Sequence, residues 1–168
     1  MSRFPLLWVR KQLTMTNYSN SFRSSQRIRA ALMDVLSALL VLLFSYAALS
    51  KLFSFSAFRA QMQVQPFPLP VAQALAILLP FLELLAASLL IFKRTAIIGL
   101  WLSFALMLEF TGYAGLALLH FWGHVPCSCG GILGKLPWGP HLALNSLFLV
   151  ITIMGLNITY KERRTGGN

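Results

Sequence analysis

The chain has two cysteines, and they stand two residues apart within Pro126-Cys127-Ser128-Cys129-Gly130-Gly131. Side chains at i and i+2 fall on the same side of an extended segment. Their Cα atoms are then near the upper end of the range a disulfide tolerates. Pro126 fixes one backbone dihedral, and Gly130-Gly131 opens conformations closed to other residues. A ring this small is strained, and a strained, exposed disulfide is more oxidising and typically labile, regulatory or catalytic. The chemistry suggested is thiol–disulfide exchange at Cys127 and Cys129. Three other readings stay open. A structural staple gains little, because bridging i to i+2 closes almost no loop. A metal site could recruit His124 and His141, since Cys and His suit zinc, but the spacing matches no usual knuckle. The two thiols could also be inert.

The neighbours of the pair add to this. His124 and His141 flank it, and a protonated imidazole close by would favour the thiolate. Each also reads as an ordinary hydrogen-bonding surface histidine. Trp122 and Trp138 bracket the segment and read as interfacial anchors, which sets the cysteines near a bilayer surface. Asn145 lies one helical turn after His141, so the two share a face that ties the last helix to its neighbours. Two carboxylates, Glu83 and Glu109, fall inside apolar runs. They lie about 18 Å and about 15 Å from the outer ends of their spans at 1.5 Å per residue. Ionisable groups at such depth are costly and point to function. Two facing carboxylates are not both ionised. The pair suits a proton path or a polar pocket for a quinone headgroup, against a bland reading of interhelical hydrogen bonding. Lys51 sits near the outer end of the first span and is expected to snorkel; a reach from there to Glu83 spans too much depth to be expected.

The elements that must position these residues follow from composition. Of 168 residues, 57% are hydrophobic and only 11% charged, with a net charge of +10. A soluble domain carries about 25% charged residues, so a soluble enzyme, a disordered tail and a disulfide-rich secreted domain are excluded. The basic balance does not indicate nucleic acid, because Lys and Arg lie between long apolar runs rather than along a polar stripe. Four runs are long enough to span about 30 Å of hydrocarbon, at about 31–53, 71–92, 95–119 and 142–158. Continuous runs of this length are helices, since a barrel would show alternating segments of about ten residues. The fold expected is an all-α membrane protein, a bundle of four transmembrane helices. Pro80, one turn before Glu83, is expected to kink the second.

Orientation follows from loop charge. Arg3, Arg10, Lys11, Arg23, Arg27 and Arg29 precede the first span, Lys93 and Arg94 join the second to the third, and Lys161, Arg163 and Arg164 follow the fourth. Lys51, Arg59 and Lys135 are left for the opposite side. Both termini are therefore expected in the cytoplasm, with the loops around 54–70 and 120–141 outward. Residues 1–30 read as a basic cytoplasmic tail near anionic lipid, and 159–168 as a second one. Phe4–Val9 is too short for a signal-peptide core. Met15 is an alternative start, which would make the first 14 residues an extension.

These residues resemble the MauE/DoxX group of redox-associated membrane proteins, most closely its MauE, or methylamine-utilisation, branch. The likeness runs from about residue 30 to 158. It is carried by Tyr46-Ala47-Ala48-Leu49-Ser50-Lys51-Leu52, the Phe-Pro-Leu-Pro segment at 67–70 and Leu79-Pro80-Phe81-Leu82-Glu83-Leu84. Its most specific part is Cys127-Ser128-Cys129-Gly130-Gly131 with Trp138, His141 and Asn145 downstream. The resemblance implies a four-helix, DoxX-like membrane bundle in the bacterial cytoplasmic (inner) membrane. It also implies a role beside a periplasmic thioredoxin-fold protein, as MauE acts with MauD in maturing the disulfide-rich small subunit of methylamine dehydrogenase. Cys127 and Cys129 match the family's cysteine pair.

The function expected is therefore disulfide exchange between Cys127/Cys129 and a periplasmic thioredoxin-like partner, one cysteine forming the mixed disulfide and the other resolving it. His124, His141, Asn145, Glu83 and Glu109 are the supporting residues. No haem or flavin motif is present and no metal is expected; a membrane quinone fits as the opposite electron carrier, because no second cysteine pair exists to relay electrons across the membrane. Membrane lipid, a homo-oligomer or a complex with other membrane subunits complete the expected partners, and nucleic acid is not among them. The rivals are a non-enzymatic assembly subunit with structural cysteines, and a small proton-coupled transporter using Glu83 and Glu109.

Overall fold

The computed structural model describes residues 4–122 and 137–165, with side chains over 24–122 and 137–164. Cys127, Cys129 and His124 lie outside the described residues. The described chain is helical: α1 Phe4–Phe53, α2 Phe55–Gln63, α3 Leu69–Ile91, α4 Ala96–Leu118 and α5 Trp138–Thr165. Among the described residues four helices are long and apolar enough to cross a membrane, over Ser24–Phe53, Leu69–Ile91, Ala96–Leu118 and Trp138–Arg164. The chain forms two compact units, Met1–Val35 and Leu36–Asn168. In the first, side chains over 24–35 are exposed apart from half-buried Arg29 and Met33. The second holds everything that follows.

Within that unit α1 buries Leu36, Leu40, Phe44 and Ala48, one residue per turn at fourfold spacing. Such a row is one of the ridges by which helices interlock. Lys51, three residues past Ala48, lies on the same face and is 5% exposed. α1 ends at Phe53, and Ser54 leads directly into α2, where the Phe58 N–H bonds to the Ser54 carbonyl at 2.9 Å. α2 lays Phe58 and Met62 against Ala76, with Phe55, Leu75 and Leu79 around them. Pro66 and Pro68 stop any continuation, and Pro70 falls in the first turn of α3, where its missing N–H costs nothing.

α3 runs unbroken through the buried Pro80. Its inner face carries Ala72, Ala76, Ala86 and Ala87. Small side chains let helix backbones approach closely, the usual device for packing within a bilayer. The α3–α4 turn is closed by Thr95, whose hydroxyl donates to the Leu89 carbonyl at 2.9 Å and the Phe92 carbonyl at 3.2 Å. Gly99 then passes so near α3 that a Cβ there would stand 3.0 Å from the Leu90 nitrogen and 3.1 Å from the Leu89 carbonyl carbon. α4 packs in turn on α5, where Gly155 meets Leu100.

α4 ends on a tight stop. His120 adopts φ 56°, the His120 N–H bonds to the Ala117 carbonyl and the Phe121 N–H to the Leu116 carbonyl, both at 3.1 Å. This 6→1 and 5→2 pairing is the Schellman turn, usually built on glycine. It folds Trp122 back onto the last turns of α4. α5 begins at Trp138, ahead of the expected 142, because Pro140 is accepted in a helix's first turn; His141 is thereby inside the helix. Large apolar side chains such as Leu42, Ile77, Phe81, Trp101 and Leu147 are exposed around the bundle, as lipid requires and water would not favour.

Candidate functional site

One end of the bundle, where α3 begins, α4 ends and α5 begins, is organised around Tyr113. Its ring lies 5.4 Å from that of Trp122 in a stacked arrangement, 5.9 Å from Trp138 edge-on and 5.9 Å from Phe67. Its hydroxyl donates to the Gln65 side-chain carbonyl. Gln65 is buried, and its amide group donates to the Gln61 carbonyl at 3.1 Å. Tyr113 thus joins the end of α4, the approach to α3 and both residues that bracket the cysteine segment. Trp138 also leans on His141, ring centroids 6.4 Å apart, and His141 is 2% exposed.

Deeper in the bundle stands an ion pair. Lys51 Nζ donates to both oxygens of Glu83, at 2.8 and 3.1 Å, and to the Ala47 carbonyl at 3.2 Å. An ammonium has three N–H donors, so Lys51 is saturated. The Phe58 ring lies 5.8 Å from the same nitrogen, within cation–π range. Glu83 is fully buried. It stands 14 residues into α3 from Leu69, a depth of about 21 Å at 1.5 Å per residue.

The expectation that Lys51 lies too shallow to reach Glu83 is therefore overturned. It assumed that α1 rises to the same level as the start of α3. Instead α1 stops at the depth of Glu83, and α2 accounts for the remaining rise along α3. The face of α1 carried the signal: Lys51 continues the row of Leu40, Phe44 and Ala48 and so points inward. The two carboxylates do not face each other as an isolated pair either. Glu83 is neutralised by Lys51, whereas Glu109 is exposed and makes no hydrogen bond or ion pair among the described residues.

Between these levels lies a cavity of about 140 Å³. All five helices contribute to its wall. Leu43, Phe44, Leu79, Met107, Phe110 and Leu144 make much of it apolar. The polar groups are Lys51 and Glu83, Gln65 and Tyr113, His141, Asn145 and Glu109. The structure so brings four of the sequence-selected residues, Glu83, Glu109, His141 and Asn145, to one cavity. Lys51, Gln65 and Tyr113 were not selected. Gln65 and Tyr113 carry no motif: Gln65 follows α2 and Tyr113 lies within α4, and only the folded contact makes either special.

Fold and site define the class: a multi-pass helical membrane protein whose bundle lines a partly open, polar-edged apolar cavity beside the residues that bracket a cysteine-bearing segment. Residues 29–158 match the sequence model of the family described as methylamine utilisation protein MauE. The match covers most of the chain, and the chain belongs to the MauE family. Comparison with curated proteins and with solved structures gave no match.

Proposed function

We propose that this MauE-family protein is a thiol–disulfide exchange protein of the bacterial cytoplasmic membrane, serving the maturation of disulfide-containing proteins in methylamine utilisation. Both termini face the cytoplasm, as the Lys and Arg distribution requires, and Cys127 and Cys129 face the periplasm. There one thiolate attacks a disulfide of a thioredoxin-fold partner, or one sulfur of the oxidised pair is attacked by the partner's thiolate. The second cysteine resolves the mixed disulfide.

One observation carries this reading: Trp122 and Trp138, the described residues that bracket the cysteine segment, converge on Tyr113 at the cavity. Cys127 follows Trp122 by five residues, and Trp138 follows Cys129 by nine. A rigid aromatic platform that holds both ends of a cysteine segment suits a redox pair that must meet a partner in one orientation. Buried His141 belongs to the same platform. His124, next to the pair in sequence, is retained as a group that favours the thiolate.

The test is a thiol-trapping titration of the full chain in membranes. The protein is equilibrated across dithiol/disulfide ratios and alkylated with a mass-shifting reagent that does not cross the bilayer. A reversible two-electron transition is expected, and Cys127→Ser or Cys129→Ser should accumulate a mixed disulfide with the partner. Thiols that never form a disulfide, or never release one, would refute the reading.

A further inference from the structure

We infer that the partly open cavity lined by the five helices binds the headgroup of a lipid-soluble quinone. The assignment of the quinone as electron acceptor rests on the thiol reading above; the assignment of the site does not.

Volume, wall chemistry and depth argue for it together. An apolar protein cavity of about 150 Å³ takes up a single aromatic ring such as benzene, and this one measures about 140 Å³. Ligand sites combine mainly apolar walls with a few convergent polar groups, which is the composition here. A ring bearing two carbonyls needs hydrogen-bond donors inside an apolar slot. Asn145 supplies one: its side chain lines the cavity and makes no hydrogen bond or ion pair among the described residues. Once reduced, the ring carries hydroxyls, and Glu109, also on the wall and unpaired among the described residues, offers them an acceptor. Phe44, Phe58 and Phe110 give the ring faces to stack on. The cavity is lined by helices long and apolar enough to span the bilayer, the surroundings into which a ligand with a long apolar tail partitions.

Such an acceptor closes the electron balance. Two S–H bonds of the cysteine pair break and one S–S bond forms, releasing two electrons and two protons. The quinone takes both electrons and two protons at its carbonyl oxygens and leaves as the quinol.

The test uses the purified full chain in lipid nanodiscs, with decylubiquinone as the probe and tryptophan emission as the readout. Saturable quenching is expected, with decylbenzene, which has the same tail and no carbonyls, giving none. Ala47→Phe and Leu144→Phe each place a ring into the cavity and should weaken binding at least tenfold. Asn145→Leu should weaken it about three- to tenfold. If Ala47→Phe fails to fold, Leu144→Phe decides. The Cys127→Ser/Cys129→Ser variant should bind with full affinity. Absence of saturable quenching, equal quenching by decylbenzene, or undiminished affinity in the folded cavity-filling variants overturns the assignment. Quinone binding in a protein whose thiols never cycle refutes the thiol reading and leaves the site standing; cycling thiols without quinone binding do the reverse.

Discussion

Removing either partner of the Lys51–Glu83 pair should destabilise the bundle far more than removing both. The two nitrogen–oxygen distances are 2.8 and 3.1 Å, and the side chains are 6% and 0% exposed. At 2.8 Å and an effective dielectric of about 20, the Coulomb attraction is about 6 kcal/mol. Desolvating two ions opposes it by several kcal/mol each. The net value of the pair is therefore small, but a lone survivor keeps its desolvation cost with nothing to offset it. Lys51→Met alone and Glu83→Leu alone should each cost about 3–5 kcal/mol, and the double variant should lie within about 1 kcal/mol of the parent. The assay is a double-mutant cycle on reversible unfolding in mixed micelles, followed by helical circular dichroism. The expected coupling is at least about 3 kcal/mol. Single variants costing under about 1 kcal/mol, or a double variant costing the sum of the singles, would refute the reasoning and place both charges in contact with water or headgroups.

Other substitutions test the surrounding structure. Gly99→Leu drives a side chain into the α3 backbone at Leu89 and Leu90, and overpacking of this kind costs about 1–3 kcal/mol, seen as a lowered Tm in detergent. His120→Gly should stabilise by roughly 1 kcal/mol in the same melt, because His120 holds a left-handed backbone that glycine adopts freely. Tyr113→Phe removes the bond to buried Gln65 and should cost about 1–3 kcal/mol, with little change in thiol cycling. Tyr113→Ala also removes the ring on which Trp122 and Trp138 rest; red-shifted tryptophan emission and slower disulfide exchange are expected.

Fold class was legible in the sequence because the bilayer imposes it: long apolar runs can only be helices, and α3 and α4 begin and end within two residues of their expected spans. The site was legible in part. Glu83 and Glu109 stood out because carboxylates are rare at that depth, and His141 and Asn145 through their spacing on one helix face. Their partners were not legible, for two physical reasons. A window of hydropathy gives a span its length but not its vertical register, and register decided whether Lys51 could reach Glu83. The chemistry of Gln65 and Tyr113 arises only from contact between segments 48 residues apart, which no local pattern encodes. The short helix α2 escaped for a related reason, since its nine residues are too few and too mixed to register as a span.

Lys51 also constrains how the protein is made. The helix that carries it leaves the ribosome 32 residues before Glu83 does. Lys51 stands two residues from the end of its helix, so in an isolated helix it snorkels to the headgroups, and over that interval no carboxylate is present to hold it at the depth of Glu83. The first helix therefore gains its settled depth only when the third arrives, and the two enter lipid most favourably as a joined unit rather than one after the other. A chain truncated before Glu83 should leave its first helix shallower and readily extracted, so the ion pair acts as a checkpoint in biogenesis as well as a contact in the finished fold.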